Sequence, residues 1–359
     1  MAFLDLSDVY EIVVTGGAGF LGSHVVDCLL AACPRANIRV LDCLVAPSDI
    51  GNLQPFLQKG RVAFYHGDIC NPEVVFRVTE NVDLIVNLAA QTDVDLAFSN
   101  PAHGHAASVL GVQVLSDAMR RNGVPLMVHV SSAAVYGRSA LEPCGEAAPF
   151  RPVHPVAAAK AAAEMIIRSQ QEAYDLDIRI LRPVSIAGTR QGAGRMLSRF
   201  IDDALARQPV TIHGSGEQQR CFLDIADFCT AMLAVIEHGE TAAYNVGTTD
   251  EHRVIDVAAM VLRQLLPSTG DYVTIRDRPA QDMRRAVNSD ALAALGWTPA
   301  RRFTETLKQM IDWKMQRLSF SRQRRFSLVP PLAPNLEEPD LEEPDRFAHD
   351  GGSDPALRR

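Results

Sequence analysis

The sequence predicts an α/β protein: a doubly wound parallel sheet of the Rossmann type, followed by a smaller C-terminal α/β lobe. Two observations carry this. Short β-branched stretches alternate with stretches of helical periodicity through the first half of the chain. The loop Thr15-Gly16-Gly17-Ala18-Gly19-Phe20-Leu21-Gly22 stands between the first strand pattern and the first helix pattern, the context that gives a glycine motif its meaning.

Glu11–Thr15 reads as a short strand, and Phe20–Cys33 repeats apolar residues at helical spacing. Strands are predicted at Ile38–Asp42, Val62–His66 and Asp83–Ala89. A helix from about His105 to Asn122 leads into the strand Leu126–Ser131. The alanine-rich stretch Pro155–Tyr174 is predicted to be a long helix, followed by the strand Ile178–Arg182. Pro183–Gly194, rich in small residues, reads as a loop. Helices near 195–207, 225–237, 254–266 and 303–317 follow, with short strands near 210–213, 243–246 and 272–275. The domains expected are 1–183 for a dinucleotide, to which part of 210–245 can return, and 184–318 for a second ligand. From about Ser319 the composition changes. The basic run Arg322-Gln323-Arg324-Arg325 precedes a proline-rich acidic stretch in which Leu-Glu-Glu-Pro-Asp occurs twice, at 336–340 and 341–345. Such a stretch cannot bury enough apolar surface to offset its ordering entropy, so 319–359 is expected to be a disordered tail, with a docking segment for a partner as the alternative.

The chain has 359 residues, 47% of them hydrophobic, which is ample for a large core. No apolar run approaches the roughly 20 residues needed to cross a bilayer, so no membrane partner is expected. Asp5, Asp8 and Glu11 sit where a signal peptide would be basic, which points to the cytoplasm. The net charge is −8 with dispersed basic residues, which argues against nucleic acid. Seven cysteines, at 28, 33, 43, 70, 144, 221 and 229, form no CxxC pair. They are expected to be reduced thiols, with no metal site.

In the glycine loop, Gly16 permits the tight turn, Gly19 admits the pyrophosphate, and Gly22 allows close packing of helix on strand. Asp42 ends the second strand and is placed to accept from the adenosine ribose hydroxyls, which favours NAD over NADP. With TGGAGFLG, HGDI at 66–69, NLAA at 87–90, SSAAVYG at 131–137 and the late GSGEQQR segment, the chain resembles the extended short-chain dehydrogenase/reductases. Within that group it looks like the NAD-dependent nucleotide-sugar epimerases and dehydratases, over about residues 10–317. The resemblance implies that Phe20 and Leu21 belong to the cofactor loop and that Asp68 and Ile69 lie against the adenine. Asp68 can instead cap the helix beginning near Asn71. Leu88, Ala89 and Ala90 would line the cofactor channel.

The resemblance also implies a nucleoside diphosphate sugar as substrate, with Arg220 and Arg284 on its diphosphate, because planar guanidinium forks pair bidentately with phosphate oxygens. Leu295-Gly296-Trp297-Thr298-Pro299 matches a structural segment of the family. Relatives commonly dimerise through helices corresponding to about 105–122 and 155–173, which implies a homodimer. Val109, Val112, Leu115 and Met119 would form one apolar stripe, and Ala161, Met165 and Ile166 would contribute on the second helix. The alternative is that these faces only cover the sheet.

The catalytic motif is broken. Family members oxidise the sugar transiently: a tyrosinate takes the hydroxyl proton, and a lysine four residues later tunes it and holds the nicotinamide ribose. Ser132 fills the Ser/Thr place and Lys160 the lysine place, but the tyrosine place is Val156. The dehydratases' Asp-Glu pair falls on Ala133 and Ala134, so the segment looks most like the epimerase version. Val184–Thr189 replaces the usual Asn-x-Tyr-Gly-Pro stretch. His154, Asp93 and Tyr136 are the candidates to replace the tyrosine. Three functions stay open: an NAD-dependent, epimerase-like enzyme on a nucleotide sugar, a catalytically inactive binding relative, and an enzyme of natural-product biosynthesis acting on a non-nucleotide substrate.

Overall fold

The computed structural model describes residues 4–137, 143–192, 194–240, 242–266 and 270–327. The first half alternates β1 (Glu11–Thr15), α1 (Phe20–Ala32), β2 (Asn37–Asp42), α2 (Gln54–Leu57), β3 (Val62–His66), α3 (Pro72–Val78), β4 (Leu84–Asn87), α4 (Val94–Ser99), α5 (Pro101–His105), α6 (Gly111–Asn122), β5 (Leu126–Val130), α7 (Pro155–Tyr174) and β6 (Ile178–Pro183). Then come β7 (Ser185–Ala187), α8 (Met196–Leu205), β8 (Val210–His213), β9 (Gln219–Asp224), α9 (Ile225–His238), β10 (Ala243–Val246), β11 (Glu251–Arg253), α10 (Val254–Leu265), β12 (Tyr272–Ile275), β13 (Arg284–Arg285), α11 (Asp290–Ala294) and α12 (Phe303–Ser327).

Seven strands form one parallel sheet in the order β10-β6-β5-β4-β1-β2-β3. The central strands β4 and β5 are buried at every position, as expected where helices cover both faces. On one face α1 and α9 contribute Val25, Leu29, Phe228 and Val235 to the core. On the other, α3, α6 and α7 contribute Val75, Val112, Leu115, Met119 and Ile167. The order reverses between β1 and β4, and the crevice outside such a switch point is where open α/β sheets bind ligands.

A second core joins α8, α10 and α12 through Phe200, Val257, Phe303 and Leu307. Small sheets flank it: β11-β9-β13 with β7 beside β9, and β12 beside β8. Among the described residues, those up to Met315 pack as one compact unit, and those from Gln316 to Ser327 belong to a second.

Four expectations change. The stretch read as a loop after residue 183 contains β7, held by parallel pairing of Ser185–Ala187 with Phe222–Asp224. The helix expected from His105 begins at Pro101 and passes through a π turn at Ala106–Leu110 before α6. Val112, Leu115 and Met119 are fully buried against their own sheet, so that stripe is core; Leu110 and Met165 are the exposed apolar groups of this region. Finally, α12 runs to Ser327, past the expected start of the tail at 319. The acidic repeats at 336–345 lie outside the described residues.

Candidate active site

The glycine loop is a cradle shaped by backbone contact. Gly16 has φ +67°, and a Cβ there would come 2.9 Å from the Ala89 backbone nitrogen. A Cβ on Gly22 would sit 2.2 Å from the Gly16 carbonyl oxygen. The start of α1 therefore lies directly on the loop, and Gly19 caps it without a side-chain hydrogen bond and with no acidic residue in the first turn. Free N–H groups at such a helix start suit a phosphate. Asp42, 5% exposed at the end of β2, accepts from the Ala18 N–H at 3.0 Å and the Leu44 N–H at 2.8 Å. It ties the loop to the end of β2, the strand beside the one the loop leaves.

Thr15 connects this cradle to β4. Its hydroxyl donates to Asn87 Oδ1 at 2.7 Å and accepts from the Leu88 and Ala89 N–H groups at 3.3 Å each. Phe20, Leu21, Leu88, Ala89 and Ala90 are half-buried around the crevice. Asp68 is exposed and accepts from the Cys70 N–H, while Ile69 is buried. Asn71 rather than Asp68 caps α3, accepting from Glu73 and Val74. A dinucleotide fits this set: a glycine cradle with no room for a side chain, a helix start behind it, and a carboxylate at the next strand end.

Beyond β5, Ser132 Oγ accepts from the Ala134 N–H and opens a short 3-10 turn. Lys160 projects from α7, buried, and donates to the Val130 carbonyl at 2.6 Å. Burial and Arg195 together pull its ammonium down to about 8, with Glu164 opposing. Val156 lies one turn earlier on the same helix and is half-buried. Tyr136 is engaged: its hydroxyl donates to Asn245 Oδ1 and accepts from Arg182, at 2.7 Å each. Asp93 caps α4, accepting from Asp95 and Leu96.

His154 caps α7 with its Nδ1, which accepts from the Ala157 N–H at 3.2 Å. The ring proton therefore resides on Nε2, so a neutral His154 is a donor toward the cleft it lines. Burial first, then Arg285, pushes its pKa down to about 4. The unfolded chain takes up this proton near 6.5 and the fold only near 4, so acid favours unfolding. Stability should fall as pH drops below 6.5, by roughly 3 kcal/mol near pH 4 for this group. Urea unfolding of parent and His154→Asn chains should show a shallower acid limb in the variant; parallel limbs would refute the assignment.

The cleft is open to solvent, and its charged walls are mainly arginine: Arg195, Arg199, Arg220, Arg278 and Arg285. Arg220 meets Asp282 at 3.2 Å, Arg285 grips the same carboxylate at 2.7 Å, and Arg278 forks onto Asp95 at 2.6 and 2.8 Å. The two guanidinium groups hold Asp282 down to about 2 against its burial.

Arg284 is not in this group. It pairs with Glu251 at 2.9 and 2.5 Å, on the other face of the small sheet. Strand alternation is the reason: Arg285 registers with Arg220, whereas Arg284 registers with Gln219, and Glu251 with Cys221. Residues one apart on a strand face opposite ways, so the guanidinium sharing the cleft with Arg220 is Arg285. Arg278 opens the same sequence motif and also reaches the cleft. Arg195 and Arg199, around the start of α8, had no signal in the sequence pattern.

A parallel sheet with a glycine cradle at its switch point, opening beside an arginine-walled cleft, defines a dinucleotide-binding protein. The chain belongs to the NAD dependent epimerase/dehydratase family, whose sequence model matches residues 12–247. It is 36% identical over 316 residues to the dTDP-D-glucose 4,6-dehydratase of Mus musculus, covering 84% of this chain and 88% of that protein. Among solved structures, the dTDP-glucose 4,6-dehydratase of Streptomyces venezuelae, with NAD bound, superposes with a TM-score of 0.83 at 29% identity; the match covers 86% of this chain and 98% of that one. The UDP-glucose 4-epimerase of Thermotoga maritima, with UDP-glucose, gives 0.80 at 26% identity over 86% and 99%. Among the described residues no His/Cys/Asp/Glu cluster has metal-binding geometry, and no helix is long and apolar enough to cross a membrane.

Proposed function

We propose that this chain is an NAD-dependent enzyme that transiently oxidises a nucleoside diphosphate sugar, in an epimerase-like reaction or a related one. The observation carrying this is the arginine wall of the cleft beside the dinucleotide cradle. Arg220 and Arg285 share a single carboxylate, so the pair keeps unneutralised positive charge for a diphosphate, which two planar forks grip bidentately. Arg278 adds a third guanidinium at the wall. NAD, held by the Gly16–Gly22 loop and Asp42, supplies the hydride acceptor. Ser132 orients the sugar hydroxyl, and His154 donates to a substrate oxygen through Nε2. Water loss from the sugar is disfavoured despite the dehydratase relatives, because Ala133 and Ala134 carry no acid.

Mixing purified chain, NAD and a panel of thymidine, uridine and guanosine diphosphate sugars tests the proposal. The expected result is a new sugar isomer or transient absorbance of NADH with at least one of them. Binding of NAD and a nucleotide sugar without turnover would refute it in favour of a second reading, a binding protein. The engagement of Tyr136 and Asp93 in local structure favours that reading.

A further inference from the structure

Transient oxidation, if the functional reading above holds, requires a group to take the sugar hydroxyl's proton, and we propose that Lys160 is that group, with Arg195 as the residue that keeps it available as an amine. The geometry narrows the choice. Lys160 follows Val156 by one turn of α7, so the two side chains share a helix face. Its Nζ lies 2.6 Å from the carbonyl of Val130, two residues before Ser132 at the end of the same strand. The amine thus projects from the helix face that carries Val156 toward the strand end that leads into Ser132. The other polar groups nearby are committed: Tyr136 to Asn245 and Arg182, Asp93 to the start of α4, and the basic nitrogen of His154 to the Ala157 N–H. Lys160 has one hydrogen-bond partner among the described residues, the Val130 carbonyl. An uncharged amine keeps that donated bond and still presents a lone pair.

The charges around Lys160 favour the amine. From its own helix Glu164 faces it, but that carboxylate is already shared between Arg182 and the Ser131 hydroxyl. From β5 it meets His129, fully buried and held neutral by that burial. From the stretch before α8 comes Arg195, an exposed residue whose guanidinium has no hydrogen-bond or ion-pair partner among the described residues; its charge opposes that of Lys160, and Asp93 is the carboxylate that offsets it. An unpaired guanidinium in the neighbourhood of a buried ammonium disfavours the second positive charge, by less where solvent reaches the guanidinium. In the reaction the sugar O–H bond breaks and an N–H bond forms at Nζ. The oxygen's electron pair makes the new C=O as the neighbouring C–H leaves as hydride to oxidised nicotinamide. The return step reverses each transfer.

The chain has four lysines, Lys59, Lys160, Lys308 and Lys314, so a lysine-selective ¹³Cε NMR titration of the full chain resolves them. The signal lost in Lys160→Met should titrate near pH 8, and in Arg195→Gln it should move upward by roughly half a unit or more. Product formation from the accepted nucleotide sugar should rise with pH through the same midpoint and move with it in Arg195→Gln. Lys160→Arg keeps a cationic donor for the Val130 carbonyl but cannot take a proton. It should bind NAD and lose turnover by about 100-fold or more. A Lys160 signal titrating in the ordinary lysine range, or turnover that survives Lys160→Arg, would overturn the base role alone. Absence of turnover with every nucleotide sugar that binds would overturn the functional reading, and the base role with it.

Discussion

An Arg182→Met chain is expected to lose about 3–5 kcal/mol of stability, the cost of leaving one member of a buried ion pair uncompensated. Arg182 and Glu164 are both completely buried, and the guanidinium grips the carboxylate through Nε at 3.0 and 3.1 Å and through a terminal nitrogen at 2.7 Å. Its other terminal nitrogen donates to the Tyr136 hydroxyl and the Glu146 carbonyl. Glu164 also accepts from the Ser131 hydroxyl at 2.5 Å. The cluster joins β6, α7 and the end of β5, the elements that carry Lys160 and Ser132. Removing Arg182 strands a carboxylate among apolar groups. The double variant Arg182→Met/Glu164→Leu should recover much of the loss, because no charge is then left unpaired. Urea unfolding of the three chains at neutral pH measures both effects. A single-variant loss below about 1 kcal/mol would show that the pair is not buried as described.

This cluster also marks where legibility in the sequence ends. The sheet and its helices were readable because hydrophobic period reports burial: the alanine-rich stretch predicted as a helix over 155–174 is α7 to the residue, and the strand pattern over 62–66 is β3. The glycine loop was readable because its spacing is fixed by a backbone contact, the Gly22 approach to Gly16. The arginines were only half readable. Arg220 was singled out, but its partner depends on which neighbour shares its face of a two-residue strand, and a parity of one residue separates Arg284 from Arg285. Arg182 and Glu164 gave no warning, since charged residues on a predicted strand and helix read as solvated until tertiary packing encloses them. Arg195 acquires meaning only once tertiary packing brings it into the cleft wall and into the electrostatic surroundings of Lys160, 35 residues earlier in the chain.

Gly22→Ala should weaken NAD binding by about 100-fold or more, equivalent to roughly 3 kcal/mol, with the fold retained. The added Cβ would stand 2.2 Å from the Gly16 carbonyl oxygen and 2.5 Å from the Gly17 Cα, both backbone atoms that cannot rotate aside. Either α1 must slide away from β1, or the loop must lift toward the crevice. Sliding is opposed by the core, since Val25, Val26 and Leu29 of α1 are fully buried against the sheet, and displacing close-packed apolar groups costs about 1–3 kcal/mol. Lifting the loop closes the space in which a pyrophosphate would meet the α1 N–H groups, and it pulls Ala18 from the Asp42 carboxylate that holds it at 3.0 Å. Both routes damage the cradle, and the second damages it directly. Gly145→Ala is the control: a Cβ there meets nothing within 4 Å and the backbone needs no positive φ, so calorimetric NAD affinity should stay at the parent value. If Gly22→Ala also binds within about threefold of the parent, a difference under 1 kcal/mol, the cradle is not where the dinucleotide phosphates rest.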